Sequence, residues 1–272
     1  MCAVALLGVL GQQQLHADDG VPIDMGGDEC VGIVPHAPTG LTRGTITADV
    51  VIALDGVSLQ EAKQVVATGS TPYAAGVIPQ LSPDVKINVL AYHDITDRLK
   101  GNVVSGFVVD EEPDGSDLMS QLIRYYRATY PNLKRHHVHL LTNRDIAAEL
   151  TPGREEPAVA GIANCIGGVG TEYAYAITEV GVFDPVEIGP LTAMKDLDAK
   201  NFAHEMGHVF GAHHHYAECA SHAPLGLADR TLDTCSVMFN DLSLLSLQFS
   251  AVETAAIRGF AEAHIAGTNP LP

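Results

Sequence analysis

Basic residues are scarce in this chain of 272 residues: 15 Lys and Arg stand against 33 Asp and Glu, a formal net charge of -18. A surface so short of positive charge lacks the basic patches by which proteins hold nucleic acid, and anionic membrane surfaces disfavour it for the same reason. Long apolar runs are missing too. No stretch approaches the ~20 residues needed to cross a bilayer, so no membrane insertion is expected. Internal repeats and low-complexity tracts are absent, and no second module is implied. What remains, 46% hydrophobic and 18% charged residues, suits a globular protein that buries a sizeable core in one enzyme-sized domain.

The most informative stretch is Asn201 to Tyr216, NFAHEMGHVFGAHHHY, in which His204, Glu205, His208, Gly211 and His214 spell HExxHxxGxxH. On a helix, residues four apart lie one above the other, so His204 and His208 can grip one ion. Glu205 is one step round from the first ligand, near enough to reach a metal-bound water and placed as a base. Gly211 falls where a left-handed residue ends a helix cheaply, and the turn it permits delivers His214 as third ligand. His213 and His215 could in principle swing in instead, but the register favours His214. Three neutral imidazoles with one open position suit Zn2+. A histidine-rich helix end that is merely solvated is the bland alternative.

These residues resemble the metzincin clan of zinc metallopeptidases. A second element of the resemblance is Cys235-Ser236-Val237-Met238, which lies where the clan places its Met-turn, with Met238 beneath the zinc ligands. The cysteine before that turn, and GIAN at Gly161 to Asn164, look most like the adamalysin or reprolysin group and its bacterial relatives. Two positions differ: His215 stands where adamalysins have aspartate, and their short CxM is lengthened to CSVM. The resemblance covers roughly Thr45 to Ile265. It implies an α/β fold, a single domain with a twisted mixed sheet and helices above a zinc cleft and a small irregular C-terminal subdomain below. It also puts Gly161, Ile162 and Ala163 on an edge strand that an extended substrate peptide joins by main-chain hydrogen bonds. Phe239 and Asn240 would wall the pocket for the residue after the scissile bond. An inner strand without a ligand is the alternative for GIAN.

Elsewhere the chain alternates between strand and helix signals. Thr45 to Leu54, Val85 to Tyr92, Asn102 to Val109 and His137 to Leu141 read as strands. Ser58 to Thr68 reads as a helix with Ser58 as N-cap, and a second helix opens at Ser116 or Asp117 and stops before Pro131. Asp198 reads as the N-cap of the zinc helix, which should reach Phe210, and Ser250 with Glu253 as a capping box opening a last helix to about Ile265. His137 and His139 can share a strand face and are assigned to structure rather than metal. The acidic loop Asp110 to Asp117 could hold Ca2+ but lacks EF-hand spacing, and is read as a solvated turn.

Met1 to Ala17 has the apolar core and Leu15-His16-Ala17 ending of a signal peptide without its basic start; a buried N-terminal strand is the alternative. Residues 18–44 read as an irregular lead-in and 45–268 as the catalytic domain. Export removes Cys2 and leaves four cysteines, compatible with two disulfides. Cys219 with Cys235 would close the loop between third ligand and Met-turn, leaving Cys30 with Cys165. Buried free thiols, or a Cys30 thiolate acting as a latency switch on the zinc, are the other readings. The expected protein is a monomer, secreted or extracellular or else periplasmic. Its expected activity is that of a zinc endopeptidase acting on protein or peptide substrates through a zinc-bound water activated by Glu205. A non-catalytic zinc-containing binding or adhesion module of the same fold is the rival.

Overall fold

The computed structural model describes residues 30, 38–40, 44–69, 85–105, 117–151, 154–157, 160–181, 195–214, 236–238 and 249–266. The signal-peptide segment 1–17, most of 18–44, the acidic loop up to 116, His215, Cys219, Cys235, Phe239 and Asn240 lie outside the described residues.

Strand β1 (Ile46–Asp55) is rich in β-branched residues and buried along nearly its whole length. A strand covered on both faces must sit inside a sheet, and β1 pairs in parallel with β2 (Val85–Asp94) on one side and β4 (His137–Thr142) on the other. Beyond β4 comes β8 (Tyr175–Glu179), also parallel, and then β7 (Gly161–Ala163), antiparallel to β8. The order β2-β1-β4-β8-β7 leaves β7 at one edge. A second sheet, unforeseen in the sequence except for one strand, joins β3 (Val103–Ser105), β5 (Ala147–Thr151) and β6 (Arg154–Pro157).

Alternation along the strands divides the core in two. Val51, Ala53, Val138, Leu140 and Ile177 face helix α2 (Leu118–Thr129), whose Leu118, Leu122 and Tyr126 complete that layer. Val50, Ile52, Leu141 and Ala176 face the other way, toward α1 (Leu59–Gly69), α3 (Lys195–Val209) and α4 (Ala251–His264). Each buried aliphatic side chain contributes ~1.5–3 kcal/mol, so these layers hold α3 firmly to the sheet.

Helix starts follow local chemistry. The Ser58 hydroxyl accepts the Glu61 amide, the Asp117 carboxylate accepts the Ser120 amide at 2.6 Å, and Ser250 with Glu253 forms a reciprocal capping box. Helix α3 departs from expectation: it begins at Lys195, so Asp198 lies inside it rather than at its N-cap. The Asp198 carboxylate accepts the Gly181 amide at 3.1 Å instead, tying the helix to the exit of β8.

Candidate metal centre

Helix α3 runs under the sheet and carries His204 and His208 one turn apart, both buried. It stops at a tight turn. Gly211 adopts φ +93°, and a Cβ there would lie 2.0 Å from the ring of Phe260, so conformation and space both demand glycine. The helix end is closed by a loop from elsewhere: the Gly167 and Val169 amides donate to the His208 and Val209 carbonyls, each at 2.9 Å. Cys165, at the start of that loop, is bonded to Cys30. Here Cys30 pairs with Cys165, the pairing expected from the sequence, and is not among the converging metal-binding side chains.

Beyond Gly211 the chain brings His214 back to the helix. The three Nε2 atoms form a nearly equilateral triangle: 3.1 Å from His204 to His208, 3.1 Å from His204 to His214 and 3.0 Å from His208 to His214. Two rings are oriented from behind. Nδ1–H of His204 donates to the Val237 carbonyl at 2.7 Å and Nδ1–H of His208 to the Ala212 carbonyl at 2.9 Å, which turns both Nε2 lone pairs inward. Burial pushes the His204 imidazole down to about 3, with the His214 ring acting in the same direction, and holds His208 well below its ordinary value. Both are thus neutral, the form that binds metal.

This donor set fits zinc. With their Nδ1 atoms donating, the facing Nε2 atoms of His204 and His208 have no proton to share, and a tetrahedral ion with bonds of ~2.0–2.1 Å sets its ligand atoms ~3.3 Å apart, close to the observed triangle. Among the described residues no other group of three metal-binding side chains converges in this way. His213 is exposed and outside the triangle.

Glu205 is also buried, and its Oε2 has no hydrogen-bond partner among the described residues. Burial raises its carboxyl well above the usual range, opposed by the Ala163 amide, which donates to it. Gly161 lies against the same side chain: a Cβ there would stand 2.7 Å from Glu205 Oε1. Gly161 and Ala163 of edge strand β7 thus sit directly on α3, while Ile162 turns into the opposite core layer.

Met238 is buried against α3, its sulfur 2.4 Å from where a Cβ on Gly207 would be. The turn that carries it is braced by polar contacts invisible in the sequence. The Ser236 hydroxyl donates to Glu253 Oε2 at 2.5 Å and accepts the Met238 amide at 2.8 Å. Glu253, legible as a capping residue, therefore also holds the turn whose Val237 carbonyl orients His204.

His137 and His139 take no part in the triad. Nδ1–H of His137 donates to the Ala174 carbonyl at 2.9 Å, which leaves His137 Nε2 to accept from His139 Nδ1–H at 3.1 Å. His139 Nε2 then accepts from the Thr178 hydroxyl at 2.8 Å. Burial pushes His137 down to about 3 and His139 well below normal, so both stay neutral in a fully paired polar chain.

The family model for reprolysin-like metallopeptidases of family M12B matches residues 107–215. Over that segment, which holds His204, Glu205, His208 and His214, the chain is similar to reprolysin-like metallopeptidases. Similar solved structures include metalloproteinase-II from Bacteroides fragilis, with a TM-score of 0.47 and 16% identity over 85% of this chain and 59% of that one. Archaemetzincins from Archaeoglobus fulgidus and Methanopyrus kandleri give TM-scores of 0.40 and 0.41 at 15% and 17% identity. The matches cover 77% and 82% of this chain and 99% of theirs. The chain thus spans somewhat more than half of the Bacteroides fragilis structure. No curated protein matches it in sequence.

Proposed function

We propose that this protein is a zinc-dependent endopeptidase that hydrolyses peptide bonds of proteins, with His204, His208 and His214 holding the ion and Glu205 moving the proton. The observation that carries the reading is the position of Glu205. Its carboxylate, on the residue next to His204, is buried, accepts the Ala163 amide of β7 and has one oxygen without a hydrogen-bond partner among the described residues.

Zinc held by the triad would lower the pKa of a coordinated water from ~15.7 to near ~7 and polarise the scissile carbonyl. Glu205 would take the proton from the attacking water and return it to the departing amine, so one carboxylate serves as base and then acid. Strand β7 would seat the substrate. Among the described residues it is paired on one side only, by β8, so an extended peptide can add to its other side through main-chain hydrogen bonds. The expected substrates are protein segments in extended form.

The Cys30–Cys165 disulfide supports a secreted, extracellular or periplasmic location, where such bonds persist. The test of the activity is a casein digest by purified protein with and without a chelator. Hydrolysis should stop on chelation and return with added zinc; chelator-insensitive hydrolysis, or none by zinc-loaded protein, would refute the proposal.

A further inference from the structure

Asn201 lies one turn before Glu205 on the same face of α3 and is almost fully buried. Its side-chain amide donates to the Ala160 carbonyl, immediately before β7. That carbonyl already accepts the Glu179 amide at 2.7 Å, the bond that continues the β7–β8 ladder. A carbonyl has two acceptor positions, and the sheet needs only one of them. The second is spent on a link from strand to helix. On the next residue, a Cβ at Gly161 would lie 2.8 Å from Asn201 Oδ1 and 2.7 Å from Glu205 Oε1. Strand, asparagine and glutamate therefore meet with no room for a side chain between them.

We propose that Asn201 is a positioning residue that sets the height of edge strand β7 over Glu205, and so the alignment of a peptide paired to β7 with the metal centre. The proposal rests on the peptidase reading. Asn201 touches neither substrate nor ion; it acts through Ala160 and Gly161. A peptide added to β7 inherits the strand's position, so a loosened seat costs binding energy along the peptide, whereas a ligand that grips only the ion does not use the strand.

The test uses the full chain loaded with zinc, comparing Asn201→Ala with wild type. Inhibition by acetohydroxamate, which grips only the ion, is set beside inhibition by a peptidyl hydroxamate that also extends along the strand. Zinc content and the KM and kcat for a peptide substrate complete the comparison. The variant should keep its zinc and its affinity for acetohydroxamate, yet bind the peptidyl inhibitor about tenfold or more weakly, with a matching rise in KM. Equal loss of both inhibitors, or loss of neither, overturns the assignment. Asn201→Leu, which keeps the volume and removes the donor, provides the same comparison if the alanine variant does not fold. A wild-type protein that cleaves no peptide and binds neither hydroxamate refutes the peptidase reading itself; an active wild type with an indistinguishable variant refutes only the role of Asn201.

Discussion

The carbonyl of Val237 lies 2.7 Å from Nδ1 of His204, although 33 residues separate them. A candidate metal ligand on α3 is thereby aimed by the backbone of a remote turn, and that turn is held by Ser236 and Glu253. Ring orientation governs metal affinity because a misdirected Nε2 lone pair must be turned at the cost of its own hydrogen bond.

Ser236→Ala removes the hydroxyl between Glu253 and the Met238 amide while leaving all three ligands in place. The zinc dissociation constant should rise by ~10–100-fold, measured by competition with a chromophoric chelator. An unchanged constant would show that Val237 keeps its position without this brace.

The disulfide predicts a large stability effect. Cys30 and Cys165 are 135 residues apart, and closing so long a loop is worth about 5 kcal/mol in the chain-entropy account. Replacing both by serine should lower Tm by roughly 10–20 °C, read by calorimetry without reductant. The loop beginning at Cys165 also caps the zinc helix, so the variant should lose zinc more readily on heating.

Two carboxyls where β8 meets α3 make stability depend on pH. Burial, with Asp145 and Asp198 nearby, raises Glu179 to about 7 against the Ile146 amide it accepts; burial, with Glu61 nearby, raises Asp198 to about 6 against the Gly181 amide. A folded-state pKa above the unfolded one means that stability is fully present below about 4.5 and is lost as pH rises through about 7. The buried neutral His137 and His139 act in the opposite sense, losing stability as pH falls below about 6.5. The Tm of Glu179→Gln minus that of wild type isolates the carboxyl. It should climb between pH 4.5 and 7 and level off above; a flat difference would show that Glu179 ionises normally.

The parts of the centre legible in the sequence were those set by helix period and glycine conformation: His204 and His208 four apart, Glu205 between them, and Gly211 at the turn. Strands β1, β2 and β4 were legible because buried β-branched runs and alternation leave a compositional trace. The groups that aim the ligands were not, since Val237 and Ala212 contribute backbone carbonyls that any residue carries. Asp198 misled because aspartate favours N-caps, yet here its carboxylate is taken by the Gly181 amide across the fold. The β5–β6 pairing was missed because Ala147–Thr151 and Arg154–Pro157 lack apolar alternation. Asn201 showed only as one more polar residue near the start of the motif; its contact with Ala160 depends on how β7 docks.

The most direct test of the account is the pair of zinc content and peptide hydrolysis in purified Glu205→Ala. The account predicts one zinc per chain, as in wild type, with hydrolysis reduced by at least ~10²-fold, because the ligands are intact and the proton acceptor is gone. Hydrolysis at the wild-type rate in a sample free of wild-type protein would contradict it.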